Sequence, residues 1–393
     1  MNDIPETAPA CPCCGKTMRN LGKRAKKLVS LLGESEISRN YYECEECREH
    51  SLPKDVILDI ERTMFTPGVR RVAAKPGSCD SFEFGSVTMS ELCGIVVSSK
   101  DIERISEAIG GEIEYENKKN MEIAFSGKMY EAPAKPMPIM YIEFDGTGIP
   151  MIKKELNGRQ DKQEDGTSKS REAKVGCIFT QTTVDGEGHP IRDSDSTTYF
   201  GAIETAEDFG KRLYGEATQR GVQGAGQVVV IGDGARWIWN LADLHFPGAI
   251  EIVDLFHAKE HVGELIKQLE LDEKVRLHYK REWYALLEQG NITELTKEFA
   301  TLHATDKEQQ KQIDREIGYF RENAERMQYK KFKAMGLFVG SGVIEAACKN
   351  VIGKRLKQSG MHRSLNGANN IIALRCAVLS DSFDNFCVHL PAA

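Results

Sequence analysis

Ile139-Met140-Tyr141-Ile142-Glu143-Phe144 runs into Asp145-Gly146, and Val228-Val229-Val230-Ile231 runs into Gly232-Asp233-Gly234. Each is an apolar run rich in strand-forming residues that meets a glycine, which reads as a buried strand ending on an aspartate. Acids at the ends of adjacent buried strands are costly to hold together as paired anions unless a positive charge lies between them. A divalent cation supplies that charge, and oxygen ligands suit Mg²⁺ or Mn²⁺. A third acid, Glu345, follows Gly340-Ser341-Gly342-Val343-Ile344 and opens an amphipathic helix. If the three converge, they form a two-metal phosphoryl-transfer site. Glu143, on the same strand face as Asp145, is a competitor or a partner for it.

Around these runs the pattern is α/β. Lys174 to Thr180 reads as a strand, Thr197 to Phe200 as part of another, Ala206 to Gly221 as a helix, Ala235 to Leu244 as a helix, and Ala249 to Val253 as a strand ending on Asp254. Strands followed by alternating helix and strand predict a sheet covered by helices. Residues 257–335 carry helical patterning with no strand signal, an all-α insertion before the helix bearing Glu345. Residues 155–172 are polar and glycine-containing, and read as a loop.

The N-terminal region has a different chemistry. Cys11-x-x-Cys14 and Cys44-x-x-Cys47 bracket two strand-like runs, Leu28 to Leu32 and Ile37 to Tyr42, on either side of Gly33. Two CxxC knuckles joined by a hairpin describe a zinc ribbon, with the four cysteines as ligands to structural Zn²⁺. Cys13 is an extra thiol, and His50 is an alternative ligand. Beyond this unit, Met89 to Ile95 and Val97 to Ile105 read as helix, glycine turn, serine cap and second helix, the spacing of a helix-turn-helix. Asp101, Glu103 and Glu107 on the second helix disfavour a phosphate-facing surface. Pro133, Pro136 and Pro138 mark a linker. The divisions are therefore 1–60 (zinc ribbon), 61–134 (helical, helix-turn-helix-like), 139–256 (first part of the catalytic domain), 257–335 (all-α insertion) and 336–393 (final helices).

The 393 residues carry a net charge of −7, which argues against whole-molecule attraction to nucleic acid. From Ala346 to Ser380, however, Lys349, Lys354, Arg355, Lys357, Arg363 and Arg375 occur with no acid, and a local basic stripe suits phosphates. Lys349, Lys354, Arg355 and Lys357 are the candidate DNA-backbone contacts. Trp237 and Trp239 are candidates for stacking on an unpaired base, but two residues apart on a helix they cannot share a face, so at least one belongs to the core. No apolar stretch reaches transmembrane length, and Met1-Asn2-Asp3-Ile4-Pro5 lacks signal-peptide features. The expected location is cytoplasmic, at the nucleoid, where eleven cysteines mean metal sites or buried thiols.

The order of acids, Asp145 and Asp233 on strands and Glu345 on a late helix, resembles the DDE pattern of ribonuclease-H-like transposases. Asp254-x-x-His257 resembles the C/D-x-x-H element of Mutator-like transposases and their bacterial relatives. Ser341-Gly342-Val343-Ile344-Glu345, Lys349, Val351 to Met361, Gly367-Ala368 and Leu374-Arg375 look like Kra-type insertion-sequence transposases, as does Tyr41-Tyr42-Glu43-Cys44 followed by Leu52-Pro53. The pattern departs at Arg363, where the resemblance implies an aromatic residue. The resemblance covers nearly the whole chain. It implies a ribonuclease-H-like catalytic domain in which Asp145, Asp233 and Glu345 hold two Mg²⁺ (or Mn²⁺) ions. It further implies DNA ends and target DNA as substrates, and a homodimer or higher assembly during strand transfer. His257 either orients Asp254 or contacts DNA near the scissile phosphate, with a purely structural His–Asp hydrogen bond as the equal alternative. A structure-specific nuclease on the same fold and a domesticated, non-catalytic DNA-binding protein are the rival readings.

Overall fold

The computed structural model describes residues 7–127, 137–157, 170–269, 271–358 and 360–389. Pro133, Pro136, Ser359 and residues 158–169 of the expected loop lie outside them. The chain divides into two compact units, Met1–Ile113 with Asp381–Ala393, and Glu114–Ser380.

In the first unit, β1 (Arg19–Ser30), β2 (Gly33–Glu43) and β3 (His50–Ser51) form an antiparallel sheet. The hairpin expected around Gly33 is present and longer than its apolar runs, because polar residues continue the pairing down to Arg19↔Glu43. Four helices follow: α1 (Pro53–Ile57), α2 (Pro67–Cys79), α3 (Phe82–Cys93) and α4 (Ser99–Phe125), the last containing the unit boundary. The α3 helix starts earlier than its apolar spacing suggests, since the Ser81 hydroxyl caps it by accepting from the Phe84 amide at 3.1 Å. It ends on left-handed Gly94, and Ser98 caps α4 through the Asp101 amide at 3.1 Å.

The second unit is built on a five-stranded sheet. Its strands are β4 (Met137–Pro150), β5 (Ser170–Gln181), β8 (Thr198–Ala202), β9 (Ala225–Gly232) and β10 (Ile250–Val253), with a short hairpin, β6 (Thr183–Val184) and β7 (Pro190–Ile191), beside them. The order is β10-β9-β4-β5-β8; β4–β5 and β5–β8 are antiparallel, and β4–β9 and β9–β10 are parallel. The β4 strand does not stop at Asp145-Gly146 as its sequence suggests. Pairing with β5 carries it on to Pro150↔Ser170, while pairing with β9 ends at Glu143↔Ile231. Gly176 on β5 is required by packing: a Cβ there would meet the Phe200 ring at 2.3 Å.

Helices α5 (Ala206–Gln219) and α6 (Arg236–His245) alternate with the parallel strands. The all-helical stretch then follows as α7 (Leu255–Gln268), α8 (Glu273–Glu288), α9 (Ile292–Ala300), α10 (Lys307–Glu322) and α11 (Tyr329–Ala334). These share one core with the sheet, from Tyr141 and Ile231 to Trp283 and Phe320. The chain returns as α12 (Gly342–Ala347), a π-helical turn (Cys348–Gly353), α13 (Lys354–Leu356), α14 (Leu365–Leu379) and α15 (Phe383–His389), the last in the first unit. Among the described residues, no helix is long and apolar enough to cross a membrane.

Candidate functional site

Strand register builds the site. The β9 strand meets β4 through Glu143↔Ile231 and β10 through Gly232↔Val253. Asp145 therefore lies on β4 just past its last pairing with β9, and Asp233 and Asp254 directly follow β9 and β10, so the three acids come to the same end of three neighbouring strands. Asp145 is half-buried, and its carboxyl is pushed above its ordinary range, first by burial and then by Asp233; the Gly146 amide and His257 act in the opposite direction. Asp233 folds back to accept from the Ala235 amide at 2.8 Å. Its turn needs Gly234, whose φ is 98° and whose missing Cβ would lie 2.6 Å from the Tyr319 ring. The Tyr319 hydroxyl donates to the Asp233 carbonyl at 2.9 Å. Sequence reasoning did not find Tyr319, a lone tyrosine on α10 with no local pattern to mark it.

Asp254 is fully buried and caps α7, accepting from the His257 amide at 2.7 Å. Its other oxygen accepts from the Ser341 amide. Ligand atoms of Asp254, His257 and Glu345 lie within 4.8 Å of one another and could hold a metal ion. Among the described residues, Glu345 is thus grouped with the two accessory residues, and Asp145 and Asp233 fall outside that limit. The expected trio shares one end of the sheet without forming the tightest cluster; carboxylates repel one another until a cation is bound. His257 lies with its Nδ1 3.9 Å from an Asp254 oxygen, a loose contact that leaves the ring half-exposed.

Two further groups complete the surroundings. Cys348 places its sulfur 3.9 Å from Asp145, and its thiol is pushed up to about 12 by burial and by that carboxylate. Lys357 donates to the Thr147 hydroxyl at 2.5 Å, on the part of β4 beyond Asp145. Of the basic stripe, Lys349, Lys354 and Lys357 are exposed. Arg355 is 0% exposed, so it is corrected from a DNA contact to a core residue: a side chain with no surface cannot reach a phosphate. Trp239 is core, donating to Asn323 at 3.1 Å, and Trp237 packs edge-on against Phe144 and Phe209.

In the first unit, the sulfurs of Cys11, Cys14, Cys44 and Cys47 lie within 4.8 Å of one another, and Cys14 and Cys44 are 3.6 Å apart. Tetrahedral zinc with bonds of about 2.3 Å needs sulfurs about 3.8 Å apart, so the set fits. The Cys47 and Glu46 amides lower the Cys44 thiol to about 7, whereas the neighbouring Cys14 and Cys13 thiols push Cys47 well up, so the crowded sulfurs hold their protons unequally in the absence of a cation. Cys13 is exposed and outside the cluster, and His50 stacks on Tyr41 at 5.1 Å instead of joining it.

No curated protein matches the chain. Among solved structures, the Drosophila P element transposase strand transfer complex is similar over 87% of this chain and 84% of that chain, at 6% identity and a TM-score of 0.27. A likeness that distant fixes neither fold nor chemistry. A family model matches residues 18–380, and the chain belongs to that family, described as Uncharacterised protein family (UPF0236).

Proposed function

We propose that this chain is a DDE transposase that cleaves DNA at the ends of an insertion sequence and joins those ends to target DNA. The observation that carries the reading is that Asp145, Asp233 and Asp254 come to one end of three adjacent strands, with Glu345 brought beside Asp254 and His257. The mixed five-stranded sheet, with the long helical insertion between its last strand and the Glu345 helix, supports a ribonuclease-H-like domain.

The donor set is all oxygen with one imidazole, and Asp145 bears the unfavourable proximity of Asp233 that a cation relieves. Asp145, Asp233 and Glu345 would hold two Mg²⁺ or Mn²⁺ ions, which when bound activate an attacking oxygen and stabilise the leaving one. The chain's own part is to fix these carboxylates on rigid elements, since a misplacement of about 1 Å can cost roughly a hundredfold in rate. Exposed Lys349, Lys354 and Lys357 extend from the Glu345 helix and supply charge for the DNA backbone beside the site. The cysteine cluster is read as a structural zinc ribbon, and α3–Gly94–α4 as a helix-turn-helix-like element.

The test is purified protein with Mg²⁺, labelled element-end DNA and a target plasmid. Strand joining supports the transposase. Cleavage without joining supports a nuclease on this fold, and a mobility shift without cleavage supports a DNA-binding protein alone.

A further inference from the structure

The segment that delivers Glu345 has no cap of its own. Ser341 precedes α12 without a side-chain capping bond, so the first amides of the helix need partners from elsewhere. The sheet provides them. Asp254 at the end of β10 accepts from the Ser341 amide, and Glu143 on β4 accepts from the Ile344 amide at 2.9 Å. The approach is fastened as well: Gln181 donates to the Gly336 carbonyl at 2.8 Å, the Phe338 amide donates to the Tyr141 hydroxyl at 3.2 Å, and the Leu255 amide donates to the Val339 carbonyl at 2.9 Å.

Glu143 is the unexpected member. It lies on a central strand between Ile142 and Phe144 and is 0% exposed, where an apolar side chain is the ordinary occupant. Among the described residues, its second oxygen has no hydrogen-bond partner. A carboxyl held there at the cost of desolvation calls for a role, and its bond goes to the residue immediately before Glu345.

We propose that Glu143 is a positioning residue for Glu345: with Asp254 it replaces the missing cap of α12 and fixes where the Glu345 carboxylate stands relative to Asp145 and Asp233. The role rests on the reading of Glu345 as a metal ligand. Glu143 itself, sealed from solvent, touches no metal or DNA. An acceptor of the right length is what the position requires, so glutamine serves and leucine or aspartate does not.

The test uses full-length Glu143→Gln, Glu143→Leu and Glu143→Asp. Leucine suits a buried strand and aspartate keeps the carboxyl but falls short of Ile344, so the two guard against one failing to fold. Mn²⁺ binding is followed by electron paramagnetic resonance, and amide exchange by mass spectrometry over residues 341–347. The expected result is that the Gln variant matches the unaltered protein in both. The Leu and Asp variants exchange faster across that peptide and bind Mn²⁺ about 10- to 100-fold more weakly, the usual effect of losing a group that orients a ligand. Unchanged exchange and Mn²⁺ affinity in the Leu and Asp variants would overturn the proposal, as would a Gln variant as weak as the Leu variant. Unaltered protein that binds no Mn²⁺ would overturn the metal reading instead, and the exchange pattern would still decide whether Glu143 holds the helix.

Discussion

The cysteine cluster and the acid cluster are both candidate metal centres, and they stand in opposite relations to the fold around them. In the first, the ligands are the core: Cys11 and Cys44 are buried with Met18 and Tyr42, Cys47 packs on them, and little else is apolar there. In the second, the core comes first. Tyr141, Ile142, Phe144, Val229, Val230 and Ile231 are fully buried beneath Asp145 and Asp233, and the sheet they build needs no ion to exist. On the proposed reading, metal at the first site would make structure, whereas metal at the second would make chemistry on structure already paid for by hydrophobic burial.

The largest effect expected from this contrast is on the cysteine side. Structural zinc contributes on the order of 10 kcal/mol to units of this size. Cys44→Ser is expected to lose zinc and to expose residues 19–43 to rapid amide exchange, while β4 and β9 remain protected; Cys13→Ser changes neither. Zinc staying near one per chain in the Cys44 variant would break the contrast. On the acid side, Asp233→Asn is expected to leave exchange and melting nearly unchanged and to lower Mg²⁺-dependent DNA cleavage by more than about a hundredfold, the loss already attached to an error of about 1 Å. Cleavage persisting in that variant would remove Asp233 from the site.

What the sequence disclosed follows the same division. Cysteine spacing is local, so Cys11, Cys14, Cys44 and Cys47 were legible, as was the exclusion of Cys13. The apolar run Val228–Ile231 marked β9 because a buried parallel strand needs no partner to be recognisable. The extension of β4 through Gly146–Pro150 was hidden, because it exists only through pairing with β5. The hairpin of β6 and β7, two residues a strand, left no periodic signal at all. Arg355 was misread because a run of basic residues reports charge and not direction. Lys354 and Lys357, three apart, face solvent, while Arg355 between them points inward. Asp254 looked like one more strand-end acid, and its bond to the Ser341 amide, 87 residues away, could be learned only from the fold.

Two substitutions sharpen the acid side. In Asp254→Asn, one oxygen becomes an amide nitrogen, and either the His257 or the Ser341 amide then faces a donor. Cleavage is expected to fall about 10- to 100-fold with a raised Mg²⁺ requirement; an unchanged Mg²⁺ requirement would mean that Asp254 does not place Glu345. Glu143 gives a pH signature. Burial, assisted by Asp254, pushes its carboxyl from 4.5 up to about 8, so the folded protein holds a proton that the unfolded chain releases. The stability tied to that proton is complete below pH 4.5 and is lost as pH rises to about 8. Without added divalent ions, the melting temperature of the unaltered protein is expected to decline between those values relative to Glu143→Gln, and parallel curves would refute the assignment.

The smallest effects belong to the surface, where the contrast becomes one between neighbours on a single helical stretch. Lys349→Ala, Lys354→Ala and Lys357→Ala each remove an exposed charge, and each is expected to weaken DNA binding about equally for all sequences, lowering the slope of log affinity against log salt by about 1. Lys357 also holds Thr147 on β4, so its variant should in addition reduce cleavage at saturating DNA. Arg355→Met is expected to do the reverse, lowering the melting temperature and leaving the salt slope unaltered, because the buried guanidinium releases no counterions when DNA binds. A salt slope that fell as much for Arg355→Met as for the lysines would place Arg355 on the DNA and require the Lys354–Leu356 turn to open when DNA binds.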